Sequence, residues 1–171
     1  MFTAPDSLVR LPERRPITSL GLAVIACEAV GASGAVFTAA GIETWYPTLV
    51  RPALAPPNWV FGPVWTALFA LMGGAVWLVW RELGGQKGPA ARRALGWFAG
   101  QFVLNVAWSA AFFGARSPAA GLVVIGLLWL AILGTVRAFD RVDRRAALLL
   151  LPYLAWVGFA AYLNYAFWTL N

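Results

Sequence analysis

Charged side chains in this chain fall in clusters, and long stretches between them carry none. Residues 52–80, 94–115, 117–136 and 146–171 are free of Asp, Glu, Lys and Arg, and 16–42 carries only Glu28. Apolar residues fill these stretches without the alternation of apolar and polar that strands of a membrane barrel need. A helix crosses the roughly 30 Å hydrocarbon layer in about 20 residues. Each stretch is long enough to do so once, and none twice. The pattern predicts an all-α membrane protein, a bundle of five transmembrane helices over about 17–40, 59–80, 94–113, 118–138 and 146–168.

Local signals agree with these limits. Ser117-Pro118 reads as an N-cap followed by a first-turn proline. Gly84, Gly85, Gly88 and Pro89 break the chain between the second and third helices. Pro152 falls inside the fifth and predicts a kink there. With no internal repeat and no shift in composition, residues 1–171 read as one domain.

Composition sharpens the picture. Apolar residues make up 61% and charged residues 12% of the 171 positions, and the mean hydropathy is +0.71. A soluble domain of this size cannot hide that much apolar surface. Histidine is absent and Cys27 is the only cysteine. That excludes Ser-His-Asp and Cys-His catalysis, structural zinc and His-ligated haem, and leaves no metal site and no obligatory cofactor.

Eleven of the thirteen Lys and Arg residues lie in the N-terminal tail and in the loops around 81–93 and 137–145, against Arg51 and Arg116 on the other side. The positive-inside rule then places the N-terminus in the cytoplasm and the C-terminus outside. The basic loops suit anionic lipid headgroups; with no basic stripe elsewhere, no nucleic-acid partner is expected. A cleaved signal peptide is disfavoured by Glu28 and by the length of the first stretch. No cation lies in any span to pair with Glu28, so protonation and a hydrogen bond to a polar neighbour are expected.

The segment after the first helix is different in kind. Between Thr44 and Thr66 it carries Trp45, Tyr46, Trp59 and Trp65, five prolines, and Arg51 as its only cation. Prolines lower the entropy cost of holding one shape. The loop reads either as an interfacial aromatic belt or as a lid over a flat, partly anionic ligand, with Arg51 facing the anionic group. Helical spacing supports a shared interior: Gln101, Asn105 and Trp108 lie on one face of the third helix, Trp156, Ala160 and Asn164 on one face of the fifth, and Phe61, Trp65, Leu68 and Met72 on one face of the second. Amides facing lipid are costly, so Gln101, Asn105 and Asn164 should point inward. They serve as interhelical glue, as ligand contacts, or as both.

These residues carry a resemblance. Trp45 to Pro52 read W-Y-x-x-L-x-R-P, Pro56 to Thr66 read P-P-x-W-V-F-x-x-V-W-T, the third helix has Q-x-x-x-N-x-x-W from Gln101 to Trp108 and then Phe112-Phe113, and the fifth has P-Y-x-x-W from Pro152 to Trp156 and then Leu163-Asn164. In this order the motifs resemble the translocator protein family, also called tryptophan-rich sensory protein or peripheral benzodiazepine receptor. The resemblance spans about residues 17–168.

It implies a five-helix bundle that binds porphyrins and other hydrophobic molecules under the 41–58 loop, as sensor, carrier or scavenger. The alternatives are a light-dependent porphyrin-degrading enzyme and a small lipid or metabolite transporter. The ligand-binding set it implies is Trp45, Tyr46, Arg51, Trp59, Phe61, Trp65, Gln101, Asn105, Trp108, Trp156, Ala160 and Asn164, with Trp65 and Trp156 at the positions linked to porphyrin photochemistry. Porphyrin is expected as ligand rather than cofactor, with membrane lipid as the surrounding partner and a prokaryotic cell membrane as location. The sterol motif reading is weakened, since no cation follows Tyr165. Gly96-xxx-Gly100, with Ala107-xxx-Ala111 further along the third helix, lets backbones approach closely. The glycine pair sits about 100–140° from the amide face, and the resemblance assigns Gly96, Gly100 and Ala107 to a homodimer contact. Cys27, Gly31, Ala35 and Ala39 form a second small-residue ridge on the first helix, expected to pack within the monomer.

Overall fold

The computed structural model describes residues 6–171, the side chains of Asp6 and Ala40 apart. All regular structure among them is helical. Five long helices dominate: α1 Pro16–Ile42, α2 Phe61–Trp80, α3 Gly88–Ser109, α4 Pro118–Asp140 and α5 Leu151–Leu170. Short helices at Asp6–Val9 and Leu11–Arg14 precede α1, 3-10 turns at Tyr46–Thr48 and Asn58–Val60 shape the aromatic loop, a π-turn Ala110–Gly114 extends α3, and Arg144–Leu149 leads into α5.

The ends follow the local chemistry. Ser117 Oγ accepts from the Ala120 backbone N–H at 3.2 Å, capping α4. Asp143 caps the Arg144–Leu149 helix by accepting from the Arg145 N–H at 2.8 Å, and an ion pair to the Arg145 guanidinium at 2.9 Å holds its carboxyl below the usual carboxylate range. Pro152 does not kink a continuous helix. The chain breaks at Leu150, and Pro152 sits in the first turn of α5, where its missing N–H costs nothing.

Among the described residues, four segments are long and apolar enough to cross a bilayer: Pro16–Ala39, Asn58–Trp80, Pro118–Asp140 and Arg144–Leu170. The third stretch, expected to be equally apolar, differs. Its helix begins at Gly88, takes in Arg92 and Arg93, and carries Gln101 and Asn105 on its inner side. The bundle is inverted relative to a soluble protein. Ile17, Ile25, Val36, Val103, Val123 and Leu130 are all more than 60% exposed, while Ser19, Gln101, Asn105, Thr135 and Asn164 are buried. Such a surface suits hydrocarbon and not water. With the apolar helices, it makes the chain a multi-pass membrane protein.

Around the bundle α1 packs on α2 and α3, α3 on α4 and α4 on α5, and ring contacts join α2 to α5. The α2–α5 seam is aromatic: Phe61 meets Trp156 and Trp65 meets Tyr153 edge-on, at 6.0 and 6.3 Å between centroids. Lys87 Nζ donates to the Val142 carbonyl at 2.6 Å and Trp80 Nε1 to the Leu8 carbonyl at 3.1 Å. The N-terminal segment and the 81–87 and 141–143 turns therefore share one end of the bundle, the basic one. At the other end, Val50 N–H donates to Asn171 Oδ1 at 2.8 Å and Asn171 Nδ2 donates to the Val50 carbonyl at 3.3 Å, tying the aromatic loop to α5.

Glu28 is half-buried on α1 beside Cys27. No described residue hydrogen-bonds or pairs with it, so the expected polar neighbour is not found. The α1 residues that meet other helices here are small or apolar, and Gly73 of α2 brings its backbone against Val24.

Candidate functional site

A cavity of about 330 Å³ lies between α1, α2 and α3, under the aromatic loop. Its walls differ in kind. From α1 come Gly31, Gly34, Ala35 and Thr38; from α2 Phe61, Trp65 and Phe69; from α3 Asn105, Trp108, Ser109 and Phe113. Tyr46 and Asn58 reach it from the loop. Small residues at steps of three and four leave α1 without side chains to fill the space, and the aromatic rows on α2 and α3 face it across the gap.

Ring packing sets the aromatic wall. Trp65 stacks on Phe69 at 5.3 Å, Trp108 stacks on Phe112 at 5.6 Å, and Phe112 meets Phe113 edge-on at 4.9 Å. Offset and edge-to-face pairs of this kind add to what burial alone contributes. Tyr46 is buried between Phe113 and Phe167, at 5.9 and 5.3 Å, and forms the roof. Burial pushes its phenol above the usual tyrosine value, with Arg51 pulling the other way, so the roof is neutral at physiological pH. A smaller compartment of about 50 Å³ shares Tyr46, Phe61, Trp108 and Phe113 and extends to Ala160 and Asn164 of α5.

Two polar links stand behind these walls. Asn105 Nδ2 donates to the Tyr153 hydroxyl at 2.9 Å, which donates to Gln101 Oε1 at 2.9 Å. Trp108 Nε1 donates to Asn164 Oδ1 at 3.0 Å, and Asn164 Nδ2 donates to the Pro118 carbonyl at 2.7 Å. Asn164 is thus engaged at both ends of its amide and works as glue between α3, α4 and α5.

The structure brings Tyr46, Phe61, Trp65, Asn105 and Trp108 together around the larger cavity, with Ala160 and Asn164 at the smaller one. The other expected ligand contacts lie elsewhere. Trp59 is 75% exposed on the Asn58–Val60 turn, because a single 3-10 turn sends neighbouring side chains to different sides. Trp45 is half-buried edge-on against Phe112 at 5.5 Å, outside both compartments. Arg51 donates to the Pro56 carbonyl at 2.8 Å and sits 5.7 Å from the centre of the Tyr46 ring, bracing the loop from its outer side. Trp156 lies behind Phe61 and against Phe159. Gln101 is buried next to an outer groove between α3 and α4, not at the cavity.

The α1 wall and Phe69 were not in the expected set. Gly31 and Ala35 had been assigned to helix packing, and part of that holds, since a Cβ on Gly31 would run into the Phe69 ring. The available signal was Gly34 and Thr38 beside that ridge: four small residues on one face are too many for packing alone. At Gly96 and Gly100, nothing lies within 4 Å of where a Cβ would stand, so that face of α3 is open. Ala107 is half-buried further along the same helix.

Among the described residues, no carboxylate, basic side chain or thiol lines the larger cavity. Its lining is mostly apolar and aromatic, with the oxidisable indoles of Trp65 and Trp108 on the wall.

Comparison with known proteins shows the family. Residues 23–169 match the model of the TspO/MBR family. The chain is similar to the "Tryptophan-rich protein TspO" of Chlorobaculum tepidum, 48% identical over 92% of this chain and 98% of that protein. It is also similar to the human "Translocator protein", 46% identical over 74% of this chain and 75% of that one. A "Tryptophan-rich sensory protein" of Cereibacter sphaeroides is 36% identical over 85% of this chain and 87% of its own length.

Proposed function

The chain belongs to the TspO/MBR family, and from that premise we propose that it binds porphyrin-type tetrapyrroles and related flat hydrophobic molecules, acting as sensor, carrier or scavenger. The observation that carries this reading is the cavity of about 330 Å³ walled by Phe61, Trp65, Phe69, Trp108 and Phe113. A planar π-face finds indole and phenyl faces there, and the apolar α1 wall leaves it room.

Sites for drug-sized ligands run to about 300–1,000 Å³, so this one is at the small end. A macrocycle fits only if the 43–57 roof rises or part of the ring projects from the cavity. Titrating metal-free protoporphyrin against tryptophan fluorescence, in nanodiscs, tests the reading. Saturable quenching that Trp65→Phe reduces in amplitude supports it; quenching that rises linearly with porphyrin, as partition into lipid would give, overturns it.

A second reading, light-driven breakdown of the bound porphyrin, is favoured by one observation: Trp65, an oxidisable indole, lines the cavity itself. Trp156 stands behind Phe61. Trp65→Phe then suppresses any photoproduct more than Trp156→Phe does. Equal suppression would remove the distinction between them.

In the proposed setting, α3 joins the four apolar segments as a fifth membrane-spanning helix, and the basic end faces the cytoplasm of a prokaryotic cell. The open Gly96 and Gly100 face of α3 serves a homodimer. Gly100→Leu should yield monomers in mild detergent that still bind porphyrin.

A further inference from the structure

On the outside of the bundle, α3 and α4 leave a groove of about 460 Å³. Its floor is small: Gly96 and Gly100 of α3, where a Cβ would meet nothing within 4 Å, and Ala131 of α4. Trp97 walls it, with its ring lying where Gly134 of α4 has no side chain; a Cβ there would stand 2.8 Å from Trp97 Cζ3. Arg93 bounds the groove at the basic end of the bundle and Leu104 lies furthest from it along α3. Two observations show that the groove is not complete as one chain leaves it. Gln101 lines it at 1% exposure and keeps Nε2 without a partner among the described residues; turning the amide only changes which of its two polar atoms is left over. Arg93 is exposed and makes no hydrogen bond, ion pair or ring contact among the described residues. Its neighbour Arg92 turns elsewhere, with Nη2 3.7 Å from where a Cβ of Gly88 would stand.

We propose that this groove binds an anionic phospholipid of the leaflet at the basic end, with its phosphate on the Arg93 guanidinium and one acyl chain along Gly96, Gly100 and Ala131 to Leu104. Length and charge select this occupant. Leu104 is eleven positions beyond Arg93, a rise of about 16 Å, which is half of the roughly 30 Å hydrocarbon layer. The groove therefore runs from the headgroup boundary to the middle of the membrane, the reach of one chain of one leaflet. Trp97, 52% exposed near its basic end, stands where an indole meets headgroups. A second copy seated on the same glycines would bring its own Arg93 towards this one, since a two-fold contact pairs a patch with itself. An anionic headgroup meets that charge with its opposite. Lipid and second copy exclude each other from Gly96 and Gly100, and the inner cavity plays no part in either.

Phosphatidylglycerol and phosphatidylcholine with the same chains test this, titrated into delipidated protein in mild detergent and read by native mass spectrometry. A cation beside an anionic headgroup is worth a factor of about five, so the first phosphatidylglycerol should bind the monomer about fivefold tighter than the first phosphatidylcholine. Arg93→Gln should bring that ratio to one, and Arg92→Gln should leave it unchanged. Gly100→Leu fills the floor and should weaken both lipids, with the thermal transition kept. Should Gly100→Leu not fold, Ala131→Leu blocks the groove from α4. Glycerol phosphate, which has the anion and no chain, should not displace the lipid; displacement would make Arg93 a site for small anions and remove the chain from the groove. Equal affinities for the two lipids in the wild type, or a preference that survives Arg93→Gln, would overturn the proposal. A wild type that holds no lipid and stays dimeric at every dilution would also overturn it and give the face to the second copy.

Discussion

The bundle has two halves built from the same apolar alphabet, and they are filled differently. Between α2, α3, α4 and α5, Met72, Ala75, Phe139 and Tyr153 are at 0% exposure, with Ile125, Leu128 and Ile132 at 1%. Between α1, α2 and α3, about 330 Å³ stays open. The aromatic walls of the open half are no less apolar than the packed half. The difference lies in what stands opposite: α4 presents isoleucine, leucine and phenylalanine, and α1 presents Gly31, Gly34, Ala35 and Thr38. A cavity here is the space that side chains of one helix do not fill. Gly31 and Gly34 face the Phe69 ring and the Ser109 side chain, and the close backbone approach that seats α1 on α2 is that of Gly73 to Val24.

Removing volume from the packed half should have the largest effect. Phe139→Ala leaves a void at a fully buried site and should cost about 3–5 kcal/mol; denaturation in mixed detergent would read it, with ligand affinity of the folded fraction unchanged. A loss below about 1 kcal/mol would mean that the packed half is looser than its burial implies.

Next comes the close approach of α1 to α2. A Cβ on Gly73 would stand 2.5 Å from Val24 Cα, a backbone atom that cannot swing aside. Gly73→Ala should therefore cost about 1–3 kcal/mol and weaken ligand binding, because α1 is both the partner displaced and the cavity wall. Gly96→Ala, with open space around it, is the control and should gain stability from helix propensity. If both substitutions behave alike, the close contact is not what seats α1.

Filling the open half separates binding from folding. Ala35→Leu projects into the cavity and should lower ligand affinity about tenfold, equivalent to about 1.4 kcal/mol, with no loss of thermal stability. A stability loss as large as that of Gly73→Ala would show that Ala35 packs instead of bounding a space.

The smallest effect belongs to the roof. Arg51 is occupied by the Pro56 carbonyl and the Tyr46 ring. Arg51→Ala should weaken binding by less than about 1 kcal/mol, and equally for protoporphyrin and its dimethyl ester. The loop cation alone suggested a contact to an anionic group; a selective loss for the free acid would restore that role.

The sequence by itself determined the helices. Gaps between charges located the four apolar segments, because an uninterrupted apolar run near 20 residues has few other structures available to it, while α3 starts at Gly88, ahead of its gap, and takes in Arg92 and Arg93; Ser117 and Gly88 marked helix ends for local reasons. The sequence also named the aromatic wall, since Phe61, Trp65, Asn105 and Trp108 recur at helical spacing. It could not say which aromatic residues of the loop turn inward, because one 3-10 turn separates Asn58 at the cavity from Trp59 outside. Nor could it turn Pro152 from a kink into a first-turn residue, which depends on where the preceding turn closes. What only tertiary structure decided was the role of absence. Gly31, Gly34 and Ala35 read as packing residues along the chain, and they become a cavity wall only when α2 and α3 place rings opposite them.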